Sequence, residues 1–282
     1  MDGIEKFGIG QPVRRKEDVR FVTGRGRFTD DVNIDGQAYG YVVRSPHAHA
    51  VIRSIDTAEA AAMPGVVAVL TGHDAAADGI PKLPCQVDVP GAGGARMFNP
   101  GREILQTERV RFAGDPVAFV VAETYEQARD AAEMVMVDYD DQPGVAQADE
   151  ADEEGAPLLY PEHGSNLAVH WQSHDGKAVE EAFAKAAKVV TLRFVNNRVV
   201  GNPMEPRVAI GDWDEAEGRH TLISPTQGAV KLQTGLAKIV FDVPKEKVHV
   251  VSPDTGGGFG LRGKLFPETV MVTWAAKRLK RP

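Results

Sequence analysis

One cysteine among 282 residues excludes an internal disulfide framework. That single thiol, Cys85, cannot supply the four ligands of an iron–sulfur cluster, so any such cluster must sit on another chain. Cys85 also stands in a Pro/Gly-rich stretch with no histidine close by, so nothing activates it as a nucleophile. Long apolar runs are missing too: none approaches the roughly 20 residues needed to span a bilayer. The start, Met1-Asp2-Gly3-Ile4-Glu5-Lys6, lacks the basic flank and apolar stretch of a secretory signal, and a cytoplasmic location is expected. Cationic runs are scarce. With a net charge of −8 and one basic block, Lys277-Arg278-Leu279-Lys280-Arg281, the chain has no footprint for nucleic acid. Two common nucleotide loops are absent, GxxxxGK[ST] and GxGxxG with an acidic residue about 20 positions on.

What is present is the composition of a soluble globular protein, 43% hydrophobic and 26% charged. The length suggests about two domains. Up to about Asp35 the chain is rich in Arg, Gly and Asp and reads as an extended arm. Strands are predicted over 39–44, 51–55 and 66–70, with a short helix over 58–63 that stops at Pro64-Gly65. Pro81, Pro84, Pro90, Gly91, Gly93, Gly94, Pro100 and Gly101, crowded between 74 and 103, predict a long surface loop. Strands at 110–112 and 117–121 follow, then a helix over 125–134 that opens on Thr124 with Gln127 three residues later, a capping box, and hands over to a strand at 135–139. The acidic run Asp149-Glu150-Ala151-Asp152-Glu153-Glu154 has no apolar face and reads as a solvated linker. Beyond it, a helix with Val179, Ala182, Phe183 and Ala186 on one face runs into a strand at 189–195. Strands at 207–213, 220–224 and 247–251, a helix at 230–240 and a final helix at 267–279 complete the pattern. Interleaved strands and helices indicate an α+β protein, without internal repeats.

The strongest local signal is Asp254-Thr255-Gly256-Gly257-Gly258-Phe259-Gly260, set between a strand and a helix. Glycines reach positive φ and let a guest approach main-chain amides without Cβ atoms in the way. An anion near a helix N-terminus is the natural guest, and a plain Gly-rich turn is the equal alternative on the glycines alone.

The glycine run, preceded by Ser252-Pro253-Asp254, resembles the GGGFG signature of the xanthine dehydrogenase, aldehyde oxidase and aerobic carbon monoxide dehydrogenase family of molybdopterin-binding large subunits. Three further segments resemble that family in order. They are Gly10-Gln11-Pro12-Val13 with Arg15, Glu17-Asp18 and Thr23-Gly24; Arg44-Ser45-Pro46-His47-Ala48-His49-Ala50; and Asn197-Arg198 with Asn202-Pro203-Met204-Glu205-Pro206-Arg207. The resemblance implies an arm over 1–23, an α/β-hammerhead domain over 24–148, an acidic linker over 149–160, and the first, incomplete part of a molybdenum-cofactor-binding domain over 161–282. It also implies that Gln227, in Ser224-Pro225-Thr226-Gln227, hydrogen-bonds an oxo ligand of the metal, and that Phe259 stands beside the metal on the substrate side. Main chain of the Gly257, Gly258 and Gly260 loop would contact the cofactor. No protein side chain is implied as a metal ligand. Without the resemblance, Gln227 reads more simply as a helix-capping residue, and Phe259 as a core aromatic.

Xanthine-oxidising members carry a glutamate a few residues after GGGFG, whereas this chain reads Leu261-Arg262-Gly263-Lys264, which leans toward the carbon monoxide dehydrogenase-like branch. His47 and His49 share a face if extended, but no third ligand lies near, and a structural role is expected. Glu205, flanked by prolines and close to Arg207, reads as a salt-bridging turn and not as a catalyst. The implied cofactor is a molybdenum-molybdopterin, in a cytosine dinucleotide form. The implied partners are the C-terminal remainder of the large subunit, a small iron–sulfur subunit, a medium FAD subunit and a small-molecule substrate. The family's later segments, including its catalytic glutamate, do not appear before Pro282. The chain alone is therefore expected to be inactive and to expose apolar surface where the remainder packs. A non-catalytic hammerhead interaction module is the alternative from a different class.

Overall fold

The computed structural model describes residues 14–85, 87–173, 176–197 and 199–282. The Gly10-Gln11-Pro12-Val13 motif and Arg198 lie outside the described residues. The arm is less extended than expected, since Asp18–Val22 forms a one-turn helix, α1.

Two three-stranded sheets make up the first half. The elements run β1 (Tyr39–Arg44), β2 (Ala50–Asp56), α2 (Ala58–Ala61), β3 (Val66–Thr71), α3 (Gly72–Ala77), β4 (Arg109–Val110), β5 (Pro116–Ala122), α4 (Tyr125–Ala132) and β6 (Met136–Asp141). In the first sheet β5 lies between β1 and β3, antiparallel to both. A strand with neighbours on both edges and cover on both faces needs apolar residues throughout. The sequence Pro-Val-Ala-Phe-Val-Val-Ala meets that demand, and every residue of β5 is buried. Gly40 of β1 must lack a side chain, because a Cβ there would stand 2.3 Å from the Phe119 ring. The second sheet has the order β4-β2-β6. Helix α4 starts on the expected capping box, with Gln127 N–H donating to Thr124 Oγ1 at 3.2 Å and Thr124 N–H to Gln127 Oε1 at 3.1 Å. Its Ala128, Ala131 and Ala132 are buried.

The loop expected from 74 begins later, because α3 occupies its start. Thr71 N–H donates to Asp74 Oδ2 at 2.9 Å and caps that helix. The strand expected at 110–112 is reduced to the two residues of β4.

The second half comprises α5 (Gly176–Lys185), β7 (Ile210–Asp214), β8 (Arg219–Ile223), α6 (Ala229–Gly235), β9 (Val248–Val251) and α7 (Pro267–Leu279). β7 and β8 are antiparallel, and β8 and β9 parallel. The parallel pair requires a crossover, which α6 and a π-helical turn over Leu236–Val240 supply, so the helix expected at 230–240 changes pitch midway. The strand expected at 189–195 does not form: no ladder pairs those residues among the described residues, and a strand without a neighbour has no ladder to stabilise it.

Helix α7 joins the halves. Its Val270, Met271, Trp274 and Ala275 enter one apolar cluster with Leu70, Leu105 and Phe119 from the first half and Leu222 and Leu236 from the second. Trp274 Nε1–H donates to Asp78 Oδ2 at 2.8 Å, and Arg278 reaches the same carboxylate at 2.6 Å. Arg281 forms a bidentate pair with Glu123 at 2.9 Å on each branch. No helix among the described residues is long and apolar enough to cross a membrane.

His220 of β8 is 1% exposed, stacked on Phe241 at 3.9 Å and tilted against Trp213 at 4.6 Å. Burial, with the nearby Lys277 charge, lowers its pKa from 6.5 to about 4. The unfolded chain takes up a proton near pH 6.5 that the folded chain refuses until about pH 4. This contribution is complete above pH 6.5 and is lost as pH falls toward 4, amounting to roughly 3 kcal/mol. Urea unfolding between pH 7 and 4 should show that loss, and His220→Phe should flatten the part due to this ring. An unchanged profile in the variant would refute the assignment.

Candidate functional site

The glycine run follows β9 and precedes α7, and ion pairs fix both of its ends. At its start, the Arg20 guanidinium of α1 grips the Asp254 carboxylate from two nitrogens, one at 2.6 Å. The backbone N–H of Arg27 donates to the same carboxylate at 2.7 Å, and Asp254 N–H donates back to Arg27 O at 3.1 Å. These hydrogen bonds, led by that from Arg20, hold Asp254 below the usual carboxylate range. The arm is thereby laced to the glycine loop.

At its far end, Arg262 is buried and meets a buried Glu205: Nη1 donates to Oε2 at 2.9 Å, and Nη2 donates to the Glu205 carbonyl oxygen. Glu205 Oε2 also accepts the N–H of Gly256 at 2.7 Å. Glu205 is thus a salt-bridging residue, but its partner is Arg262 and not the neighbouring Arg207, whose guanidinium instead lies 3.8 Å over the Phe266 ring. Glu205 Oε1 and Arg262 Nε are buried without a hydrogen-bond partner among the described residues.

Between these anchors the backbone takes conformations that favour glycine, with φ of 106° at Gly257 and 82° at Gly260. Phe259 itself sits at φ 47° and projects its ring outward, 72% exposed. It is therefore not a core aromatic of this chain. The main-chain N–H groups of residues 257–260 donate to no described residue.

Gln227 lies against this loop. Its side-chain Oε1 accepts the Arg262 N–H at 3.1 Å, and its own N–H donates to Arg262 O at 3.1 Å. With the carbonyl oxygen so held, the side-chain NH₂ faces outward with no acceptor among the described residues. It makes no capping bond to α6. A Cβ on Gly258 would stand 2.5 Å from Gln227 Cδ, so only glycine permits this approach. The structure therefore brings Gln227, Gly258 and the Gly257–Gly260 amides into one exposed cradle, with the Phe259 ring beside it. Chemically this is a set of neutral donors suited to an electron-rich guest. The Arg262–Glu205 and Arg20–Asp254 pairs behind it were not anticipated. Their only trace in the sequence is that a charged residue flanks the glycine run at each end.

The other candidates lie elsewhere. His47 Nδ1 is 3.2 Å from Asp141 and its ring packs on Tyr139, while His49 is held by Pro143 O at 2.8 Å and Arg109 at 2.9 Å. Both brace the second sheet. Among the described residues no three His, Cys, Asp or Glu side chains converge as a metal site. Cys85 is exposed, on the loop far along the chain from the cradle.

Both halves of the chain resemble known families. The family described as aldehyde oxidase and xanthine dehydrogenase, a/b hammerhead domain, matches residues 23–143, and that described as molybdopterin cofactor-binding domain matches 159–282. The carbon monoxide dehydrogenase large chain of Afipia carboxidovorans is 36% identical over 90% of this chain and 31% of its own length. The nicotine 6-hydroxylase large subunit of Paenarthrobacter nicotinovorans is also 36% identical, over 99% of this chain and 33% of its own. Among solved structures, quinoline 2-oxidoreductase from Pseudomonas putida 86 superposes with a TM-score of 0.83 at 33% identity, covering 96% of this chain and 34% of that one. Reconstituted CO dehydrogenase from Oligotropha carboxidovorans gives 0.81 at 34% identity, with 96% and 34% covered. The chain spans about a third of the length of the relatives it matches.

Proposed function

The chain belongs to the aldehyde oxidase and xanthine dehydrogenase family of molybdenum-binding large subunits, and we propose that it forms the part of such a subunit that cradles one side of a molybdopterin cofactor. The observation that carries this reading is the cradle itself: four successive main-chain N–H groups at 257–260 that donate to no described residue, beside the Gln227 NH₂, which has no acceptor among them. A pterin-held metal group fits such a site, because it brings its own metal ligands and asks the protein for hydrogen bonds and shape. Gln227 and the loop of Gly257, Gly258 and Gly260 would hold the group, and Phe259 would wall the substrate side. When bound, the group supplies two-electron oxidation of a small substrate with oxygen from water.

The chain's own contribution is positional. Arg262 fixes the Gln227 amide, the Glu205–Arg262 pair fixes the end of the loop, and Arg20 fixes its start. We assign 1–23 to the arm, 24–148 to the hammerhead, 149–160 to the linker and 161–282 to the cofactor domain. The cytosine dinucleotide form of the cofactor, an iron–sulfur small subunit, an FAD medium subunit and a carbon monoxide dehydrogenase-like substrate range belong to the same proposal. A purely non-catalytic hammerhead module would leave the 257–260 amides to water, with no use for their convergence on Gln227.

The test is co-expression with the remaining two-thirds of a large subunit in a host that makes molybdopterin. Stoichiometric molybdenum and pterin in the purified complex is the expected result. A complex that forms but carries neither would overturn the reading.

A further inference from the structure

Beyond the cradle, the most unusual surface of the molecule runs from α5 to Met204. Helix α5 carries Val179, Ala182 and Phe183 at helical spacing on one face, yet buries no residue. An amphipathic helix of ten residues is stabilised chiefly by packing that face against something. After it, Val190, Leu192 and Phe194 alternate with Thr191, Arg193 and Val195, the period of a strand. They are 78%, 76% and 78% exposed, and no ladder includes them among the described residues. The contrast with β5 is instructive, since a similar apolar string there is wholly buried between two neighbours. Val199, Val200 and Met204 continue the exposed strip up to Glu205, which contacts Gly256 of the cradle.

We propose that residues 188–195, which form no strand in this chain by itself, become one by pairing with a strand from the part of the large subunit that lies beyond the matched third, with α5 packing on that same part. The proposal rests on the functional reading above. The occupant follows from two observations. The relatives carry about two-thirds of their length beyond what this chain matches. The strip is also continuous with the edge of the cradle, so a body that completes the site lies across it. A second copy of this chain, by contrast, would offer the same strip and leave the cradle open. An edge strand gives main-chain hydrogen bonds for affinity and alternate apolar side chains for register. Arg193, paired with Asp149 at 2.6 Å, faces the acidic stretch and leaves the Val190, Leu192, Phe194 row for the partner.

Hydrogen exchange of the full chain, alone and with the remaining two-thirds of the Paenarthrobacter nicotinovorans relative added in trans, tests the pairing directly. Amides 188–195 should exchange freely in the chain alone and at least tenfold more slowly in a 1:1 complex. Thr191→Pro and Leu192→Pro provide a second reading. Successive N–H groups of a strand point to opposite edges, so at least one of the two should weaken association tenfold or more, with the circular dichroism of the free chain unchanged. The proposal is overturned by a complex whose 188–195 amides exchange as in the free chain, by failure of any complex to form, by proline variants that bind normally, or by protection that appears in the chain alone as concentration rises. Molybdenum content separates the two readings. Protection without molybdenum sustains the pairing and sinks the cofactor role, whereas molybdenum with unprotected amides does the reverse.

Discussion

Glu205→Ala should lower the unfolding free energy by about 3–5 kcal/mol, the usual result of removing one partner from a buried ion pair. The side chains of Arg262 and Glu205 are 3% and 7% exposed, so neither charge has much water to fall back on. Truncating Glu205 strips Arg262 Nη1 of its 2.9 Å acceptor and Gly256 N–H of its 2.7 Å acceptor together. The guanidinium cannot neutralise itself, because Arg stays protonated at any pH the protein tolerates. Glu205→Gln should cost less, as an amide oxygen still accepts from Gly256. A double replacement, Glu205→Leu with Arg262→Met, should recover most of the loss, since an apolar pair removes both desolvation penalties at once. Urea titrations of the unsubstituted chain, Glu205→Leu, Arg262→Met and the double variant give the cycle. A single-variant loss below about 1 kcal/mol would mean that water reaches the guanidinium, and that the glycine loop is anchored elsewhere.

That pair also marks where the sequence stopped being legible. Elements stabilised by their own local chemistry were readable. The Thr124 and Gln127 capping box places the start of α4, and Pro267 with the basic last turn places both ends of α7. Helix α3 could have been found by the same logic, for Thr71 and Asp74 form a cap of the same kind; the prolines and glycines farther on drew the whole stretch into a loop. The strand expected at 189–195 failed for the opposite reason. Its alternation is real, but a ladder needs a neighbour that the described residues do not supply. Within the site, glycines announce themselves because their φ demands do. Arg262 finds Glu205 across 57 positions and Arg20 finds Asp254 across 234, and no spacing rule reaches so far. A nearby candidate, Arg207, was the natural partner for Glu205 by sequence distance, yet it stacks on Phe266.

Gln227→Ala, made in the assembled and metal-loaded subunit, should lower kcat by about 10²–10³-fold with little change in KM, as loss of one preorganised hydrogen-bond donor does elsewhere. The geometry explains why the donor is preorganised. Arg262 N–H holds Oε1 at 3.1 Å, which fixes which end of the amide faces outward, and the absent Cβ of Gly258 lets the side chain lie flat against the loop. Gln227→Glu supplies the stringent comparison. It keeps the size and the Arg262 contact but replaces the outward donor with a carboxylate oxygen, so it should be no better than alanine and worse as pH rises. Gly258→Ala attacks the same arrangement from the other side. Its new Cβ would fall 2.5 Å from Gln227 Cδ, forcing the amide away, and it should therefore lower molybdenum content as well as turnover. The two variants are distinguishable because alanine at 227 removes the amide whereas alanine at 258 keeps it and displaces it. If Gln227→Ala retains kcat within threefold at full molybdenum occupancy, the outward NH₂ has no part in turnover. Gln227 would then serve only to tie α6 to the end of the glycine loop through its contacts with Arg262.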